Sequence, residues 1–418
     1  MSYETEPATT PGGTKTPSSL NRTLGFAATG LLAAGAISAG AWWGIGSVAA
    51  DATDSPTAAA GNAVVVQDQL DGLVDRGFPA ALASVTHPDG SHDDYVSGVG
   101  NVETGEDVPV DGEVRIGSNT KTFTAVTVLQ LVEQGLVELD APVEAYLPGL
   151  VRGEGIDGAN ITVRQLLQHT SGLPEFSDEL AVDIKKIQHA YMSPRDLLDL
   201  GLAHPAQFAP GERWEYSNTN YVVLGLIVEK VTQRPLSEEI TKRIIEPLDL
   251  QHTYFPTVGE QGFRGDHPSG YHMEADGKRF DVTTLDPSWA WSAGQIIASP
   301  SDVNEFTRAA LDGRLLSEES MSEMQKTVPV PDEESLWPGS EYGLGLQSHP
   351  LSCGGDIWGH GGDIHGYETR NGVAEDGTAF TVAVTSLPGG IGDPSNEEQM
   401  LEHYKSVMTT VDAAFCEK

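Results

Sequence analysis

RIGSNTKTFTA, Arg115 to Ala125, places a serine three residues ahead of a lysine at the head of an apolar run. On a helix, side chains three apart share a face one turn from each other, so the Lys121 amine reaches the Ser118 hydroxyl. That is a nucleophile beside a base. Alone, S-x-x-K recurs by chance, and the same residues also describe a helix with Ser118 as its N-cap and Lys121 solvated in the first turn. It is, however, the only S-x-x-K in the chain.

Around this stretch the apolar Phe123, Val126, Val128, Leu129 and Val132 extend the helix from Ser118 to Leu136. Upstream, AVVVQDQLDGLV reads as a helix, followed by strands at ALASVTH and YVSGVGNV with a turn at Pro88-Asp89-Gly90. Downstream, residues 137–290 read as a mostly helical insertion with Gly/Pro breaks, including NYVVLGLIVEKVT from Asn220. After a helix near Ser301 to Leu311, strands return at YGLGLQSH, DIWGH, YETRNGVAE and AFTVAVTS, and an amphipathic helix, Asn396 to Phe415, closes the chain. The expected fold class is α/β (α+β), an antiparallel sheet completed by both ends of the chain and flanked by helices, with a largely helical lobe. A ligand would lie between sheet and lobe.

Composition narrows the function classes. In 418 residues, 24 Lys+Arg stand against 61 Asp+Glu, a formal net charge of -37. Such a surface repels phosphates and anionic headgroups, so nucleic acid is excluded as a partner. Residues 1–50 read as a targeting segment, with an apolar small-residue run from Leu24 to Ala50 and small-x-small cleavage sites at Ser47-Val48-Ala49 and Val48-Ala49-Ala50. The run is also long enough to span a bilayer uncleaved, so a secretory signal and an N-terminal membrane anchor both stand. Either places the protein outside the cytoplasm. DATDSPTAAAG, residues 51–61, reads as a flexible linker, and the folded domain as 62–418. In an exported chain, the two cysteines, Cys353 and Cys416, are expected to form one disulfide.

Two further patterns occur once each: Y-x-N, at Tyr216-Ser217-Asn218, and H-x-G, at His360-Gly361-Gly362. Singly, these describe a packed turn and a glycine-rich hairpin. Together and in this order, with ITVRQLLQHTSGLP, PGERWEYSN and WSAGQIIASPSDV, they resemble the serine β-lactamase and D-alanyl-D-alanine carboxypeptidase superfamily, in its class C-like, Streptomyces-type DD-peptidase branch, over Asn62 to Cys416. The resemblance implies an acyl-enzyme hydrolase in which Ser118 attacks a carbonyl, Lys121 or Tyr216 takes its proton, and Tyr216 serves the leaving group. It further implies that Asn218 orients Lys121 and binds the acyl-side amide, that His360 relays a proton to Tyr216 or the leaving group, and that the N–H groups of Ser118 and Asp363 form an oxyanion hole. Gly361 and Gly362 would let the strand approach the ligand closely. The expected substrate is a small D-amino-acid peptide, peptidoglycan-derived, with β-lactams as further ligands; the expected protein is a monomer without metal or cofactor.

Carboxypeptidases of this branch bind a terminal carboxylate with hydroxyls after the histidine and an arginine on a neighbouring strand. Here Gly361 and Asp363 replace the hydroxyls and Gln347 stands where the arginine is sought, with Arg370 or Arg115 as substitutes. The alternative is a D-aminopeptidase, D-amino-acid amidase or esterase using the same chemistry, with Asp363 favouring an ammonium. A third reading is a non-catalytic penicillin-recognising protein. A metal site at His360, Asp363 and His365 is set aside, because odd offsets on a strand face opposite sides.

Overall fold

The computed structural model describes residues 56–417 except 178–179, 181–183, 274–276, 333 and 393–395, so the N-terminal apolar run lies outside the described residues. Helix α1 (Pro56–Asp75) leads into the hairpin β1 (Ala80–Thr86) and β2 (His92–Gly98). α1 starts inside the stretch read as a linker: Pro suits a first helical position, and the alanines after it are the strongest helix formers. β2 starts three residues ahead of the expected Tyr95, because the short turn at Pro88–Gly90 fixes its register, with Thr86 opposite His92 and Ala80 opposite Gly98. Its acidic Asp93 and Asp94 are tolerated on an edge strand.

A turn of 3-10 helix, Gly117–Asn119, opens α2 (Thr120–Glu133). The insertion holds α3 (Pro194–Leu202) and α4 (Asn218–Thr232), and also two small hairpins, Arg152–Gly153 with Ile156–Asp157 and Tyr271–Met273 with Arg279–Asp281, that the helical reading did not contain. α5 (Pro300–Leu311) precedes β3 (Val328–Pro329), β4 (Glu341–Tyr342), β5 (Gln347–Pro350), β6 (Asp356–Gly359), β7 (Gly362–Ile364), β8 (Tyr367–Ala374) and β9 (Ala379–Val384), and α6 (Glu397–Cys416) ends the chain.

These strands form one antiparallel sheet of nine in the order β2-β1-β9-β8-β6-β5-β4-β3, with β7 paired to β8. Both ends of the chain therefore meet at β1 and β9, whose register sets Ala81 opposite Val384. Strand alternation sorts β1 between two cores: Ala80 and Leu82 pack with α2 and α5, while Ala81, Ala83 and Val85 pack with α1 and α6. Helices thus cover both faces, which is why β1 is buried at every position. Cys353, after β5, and Cys416, at the end of α6, are joined as a disulfide.

α2 is buried nearly all round, and its Phe123 stacks on Phe306 of α5 with ring centroids 3.5 Å apart. A helix sunk this deep has no solvated first turn. Its lysine must find partners inside the protein.

Candidate active site

Ser118 sits in the 3-10 turn and does not cap α2; the N-cap is Asn119, which makes no side-chain cap bond. The turn is set by Gly117, at φ +49, where a Cβ would stand 2.7 Å from the Asp363 amide nitrogen. A side chain at that point would push β7 away, so glycine is what brings the N–H of Asp363 beside the serine. Asn119 fastens the turn to β8, donating from Nδ2 to Thr369 Oγ1 at 2.7 Å.

Lys121 has no exposed surface. Its Nζ lies 2.7 Å from Asn218 Oδ1, 2.8 Å from the Ala293 carbonyl and 2.9 Å from Ser118 Oγ. Burial lowers the ammonium from the ordinary lysine range to about 7, against the raising effect of the Glu175 and Asp363 charges. A neutral amine has two hydrogens and one lone pair. Asn218 and Ala293 can only accept, so they take the hydrogens, and the lone pair is left facing the Ser118 hydroxyl.

Tyr216 ends the loop before α4, and Asn218 opens that helix. The Tyr216 side chain lines the cleft together with Ser118, and burial holds its pKa well above the ordinary tyrosine value, against the lowering effect of the Ser118 hydroxyl. At neutral pH it therefore keeps its proton and donates. Lys121 Nζ also lies 4.8 Å from the centre of the Tyr216 ring. Glu175, which the sequence reading did not single out although its neighbours SGLP were quoted, holds the start of α4: its carboxylate accepts the N–H of Asn218 at 2.6 Å and that of Ser177 at 2.7 Å. Asn218 Nδ2 donates to Ser177 Oγ at 3.1 Å, so one of its two hydrogens is committed and the other remains for a ligand.

His360 departs from its expected contact. Its Nε2 lies 2.9 Å from Tyr342 Oη, not on Tyr216, whose ring centroid is 6.4 Å away. Tyr342 in turn meets His169 Nε2 at 3.1 Å. His169 Nδ1 receives the N–H of Ser217 at 3.2 Å and faces Asn220 Nδ2 at 3.0 Å, so this nitrogen is the acceptor and Nε2 carries the hydrogen. The chain then has one consistent direction: His169 donates to Tyr342, Tyr342 donates to His360 Nε2, and His360 Nδ1 donates to the Gly361 carbonyl at 2.6 Å. Burial lowers both histidines, His360 to about 3, which keeps them neutral. His169 also adopts φ +60, a conformation that costs a non-glycine residue roughly 1 kcal/mol or more and tends to persist at functional sites. Its place in HTSGLP was visible in the sequence; Tyr342 gave no signal there.

Gly362 is buried, while Gly361 lines the cleft just ahead of β7. A Cβ at Gly362 would collide with the Ile116 carbonyl, and one at Gly361 would stand 3.2 Å from Arg370 Nη1. Arg370 fills the room beside Gly361, with Nη2 at 3.0 Å from Asp363 Oδ1 and 2.9 Å from Glu368 Oε1. Arg115 is elsewhere, donating to the carbonyls of Gln261, Thr283 and Leu285, which removes it as a substitute anchor. Gln347, opposite Gly359 on β5, lines the same cleft as Ser118, Tyr216, His360 and Asp363. Phe176, Trp214, Trp289 and Trp337 give that cleft an aromatic wall. Among the described residues, no three His, Cys, Asp or Glu side chains gather as metal ligands would.

Comparison with known proteins agrees with this geometry. The family model described as Beta-lactamase matches residues 62–405. The putative penicillin-binding protein PbpX of Bacillus subtilis is 28% identical over 275 residues, which is 65% of this chain and 61% of that protein. Staphylococcus aureus protein flp is 27% identical over 52% of this chain and 43% of its own length, so the chain spans about two fifths to three fifths of these curated relatives. Among solved structures, a D-stereospecific amidohydrolase from Streptomyces sp. superposes with TM-score 0.75 at 35% identity, covering 84% of this chain and 98% of that one. D-amino acid amidase from Ochrobactrum anthropi SV3, complexed with D-phenylalanine, gives TM-score 0.70 at 29% identity over 84% and 98%. The chain belongs to the beta-lactamase family, as a β-lactamase-fold hydrolase related to penicillin-binding proteins and D-amino acid amidases.

Proposed function

We propose that the protein hydrolyses amides or esters of D-amino acids through an acyl-enzyme on Ser118. The observation that carries this reading is the Lys121 amine, with two acceptors taking its hydrogens and its lone pair aimed at Ser118 Oγ 2.9 Å away. Lys121 takes the serine proton as Oγ attacks the carbonyl carbon. The developing oxyanion is met by the N–H groups of Ser118 and Asp363, two donors that need no reorientation. Tyr216, protonated at neutral pH, delivers a proton to the leaving nitrogen or oxygen as the bond breaks, and the proton that Lys121 took from the serine is the one that restores it. Water then repeats the sequence on the ester and releases the acid. The ordering of the two possible bases follows from the directions of their shifts: burial favours neutral lysine and disfavours phenolate.

The substrate class rests on the cleft wall and on charge. Aromatic Phe176, Trp214 and Trp289 suit an apolar acyl side chain such as that of D-phenylalanine, and Arg370 is already paired with Asp363. Two of the similar solved structures carry D-amino-acid amidohydrolase or amidase in their descriptions. Likeness to PbpX supports a second reading, a D-alanyl-D-alanine carboxypeptidase acting on peptidoglycan-derived peptides. Export by residues 1–50 belongs to the proposal, with activity in the medium or membrane fraction of the host as its check. The deciding assay offers D-phenylalanine amide, its L enantiomer and an N-acylated Lys-D-Ala-D-Ala peptide to the protein and to Ser118→Ala. Ammonia release from the D amide alone, lost in the variant, supports the amidase; D-alanine release from the peptide supports the carboxypeptidase; neither from a folded protein removes both.

A further inference from the structure

β7 and β8 pair so that Gly362 faces Thr369 and Asp363 faces Glu368. Gly361 lies just ahead of β7, and both it and Asp363 line the cleft. Gly361 contributes no side chain there, and Arg370 lies in the space, its side chain 8% exposed and reaching the cleft. Asp363 completes the arrangement from the cleft side, with 28% of its side chain exposed and both carboxylate oxygens within 3.3 Å of Arg370 Nη2. Glu368 is wholly buried on the far side, where burial raises its carboxyl, so Asp363 is the partner of Arg370 that faces the cleft. Arg370 Nη1 donates to the Thr369 carbonyl at 2.8 Å, which keeps the guanidinium in place whatever stands at 363.

We propose that Asp363 is a specificity residue: it occupies the Arg370 guanidinium and turns a would-be carboxylate anchor into a site that rejects free carboxylates and admits uncharged or cationic leaving groups. The inference deepens the amidohydrolase reading and rests on it for the position of the reacting bond. It has two requirements. A side chain at 361 would displace Arg370, and an uncharged residue at 363 would leave the cation facing the cleft with one lone partner behind it. A carboxylate in the cleft then gains a charge-assisted donor where it now meets an anion.

The test compares D-phenylalanylglycine with D-phenylalanine 2-hydroxyethyl amide, which share the bond to be cut and differ in a carboxylate on the leaving group. The wild type should favour the hydroxyethyl amide, and Asp363→Asn and Asp363→Ser should each shift the ratio of kcat/KM toward the carboxylate by roughly tenfold, the scale of one charge across a partly wet cleft. Arg370→Gln should move the ratio the other way, since Asp363 loses its neutralising partner. A purely structural role would lower both substrates together. D-phenylalanine amide hydrolysis is followed in parallel, so that loss of the amidohydrolase reading is seen separately. Should no substrate turn over, binding of D-phenylalanylglycine to Ser118→Ala with and without Asp363→Asn decides the matter: tighter binding by about tenfold supports the assignment, on the same charge argument, and equal or undetectable binding overturns it. An unchanged kcat/KM ratio in both folded Asp363 variants also overturns it.

Discussion

The helix side of the cleft and its strand side reach order by different routes. On the helix side, Ser118 and Lys121 belong to one turn, Tyr216 and Asn218 to another, and the two are locked by an amine 2.7 Å from Asn218 and 2.9 Å from Ser118. On the strand side, His360 and Asp363 are held by residues from other strands and from the insertion: Tyr342 and His169 for the first, Arg370 for the second. In the proposed mechanism the helix side supplies the groups that change protonation. The strand side holds its histidine neutral and its aspartate paired, and so supplies fixed orientation and fixed charge. On the proposed function, bond-making chemistry and choice of substrate are carried by separate walls of one cleft.

Breaking the helix side should cost most. Ser118→Ala and Lys121→Met are each expected to lower kcat by about a thousandfold or more, and the double variant should be no worse than either alone, because residues acting as a unit are not additive. Single-turnover rates on D-phenylalanine amide would show it; a double variant slower by the product of the two would mean that they act independently.

The strand side should break first in stability. Gly362→Ala forces a methyl against the Ile116 carbonyl and between the hydrogen-bonded side chains of Asn119 and Thr369, and should cost about 1–3 kcal/mol in urea unfolding. Gly361→Ala meets the movable end of Arg370 instead and should cost less than about 1 kcal/mol. Equal losses would show that the close approach at Gly362 is not what seats β7.

Tyr342→Phe sharpens the comparison with a smaller effect. It removes the donor to His360 Nε2 and the acceptor of His169 while keeping the ring, so kcat should fall by roughly tenfold with KM little changed, the scale expected when a positioned proton-handling group is freed. Two buried imidazole nitrogens also lose their partner, at about 1–3 kcal/mol of stability. A variant with wild-type kcat would reduce the Tyr342 chain to packing.

How much of this was legible in the sequence follows the same division. Ser118, Lys121, Tyr216, Asn218 and His360 announce themselves through short spacings that local structure translates into contacts, and the structure gathers four of them around one cleft with Lys121 buried against Ser118. The sheet, with both chain ends in it, was legible from alternation and turns. Tyr342 was not, because its role depends on β4 lying where its hydroxyl can bridge His360 and His169, and a short edge strand carries no sign of that in EYGLGL. Gly361 and Gly362 suggest a strand drawn close to a ligand; what their sequence does not name is Arg370 packed beside Gly361 and the Ile116 carbonyl beside Gly362. Arg115 was a candidate anchor because an arginine beside a nucleophile invites that reading; three carbonyls of the insertion claim it. Local spacing survives translation into structure, while partners supplied by distant strands depend on register that one strand's sequence does not contain.

The claim at the centre of this account is that burial prepares Lys121 to take the serine proton. The measurement is kcat/KM from pH 5 to 10 for an N-acylated D-phenylalanine ester, a substrate with no group titrating in that range. Because the neutral amine is the active form, the rate should rise with pH, pass its midpoint near 7 and level off above it. A rate still climbing toward the ordinary lysine value of 10.5, or falling across pH 7, would contradict the assignment of Lys121 as the base.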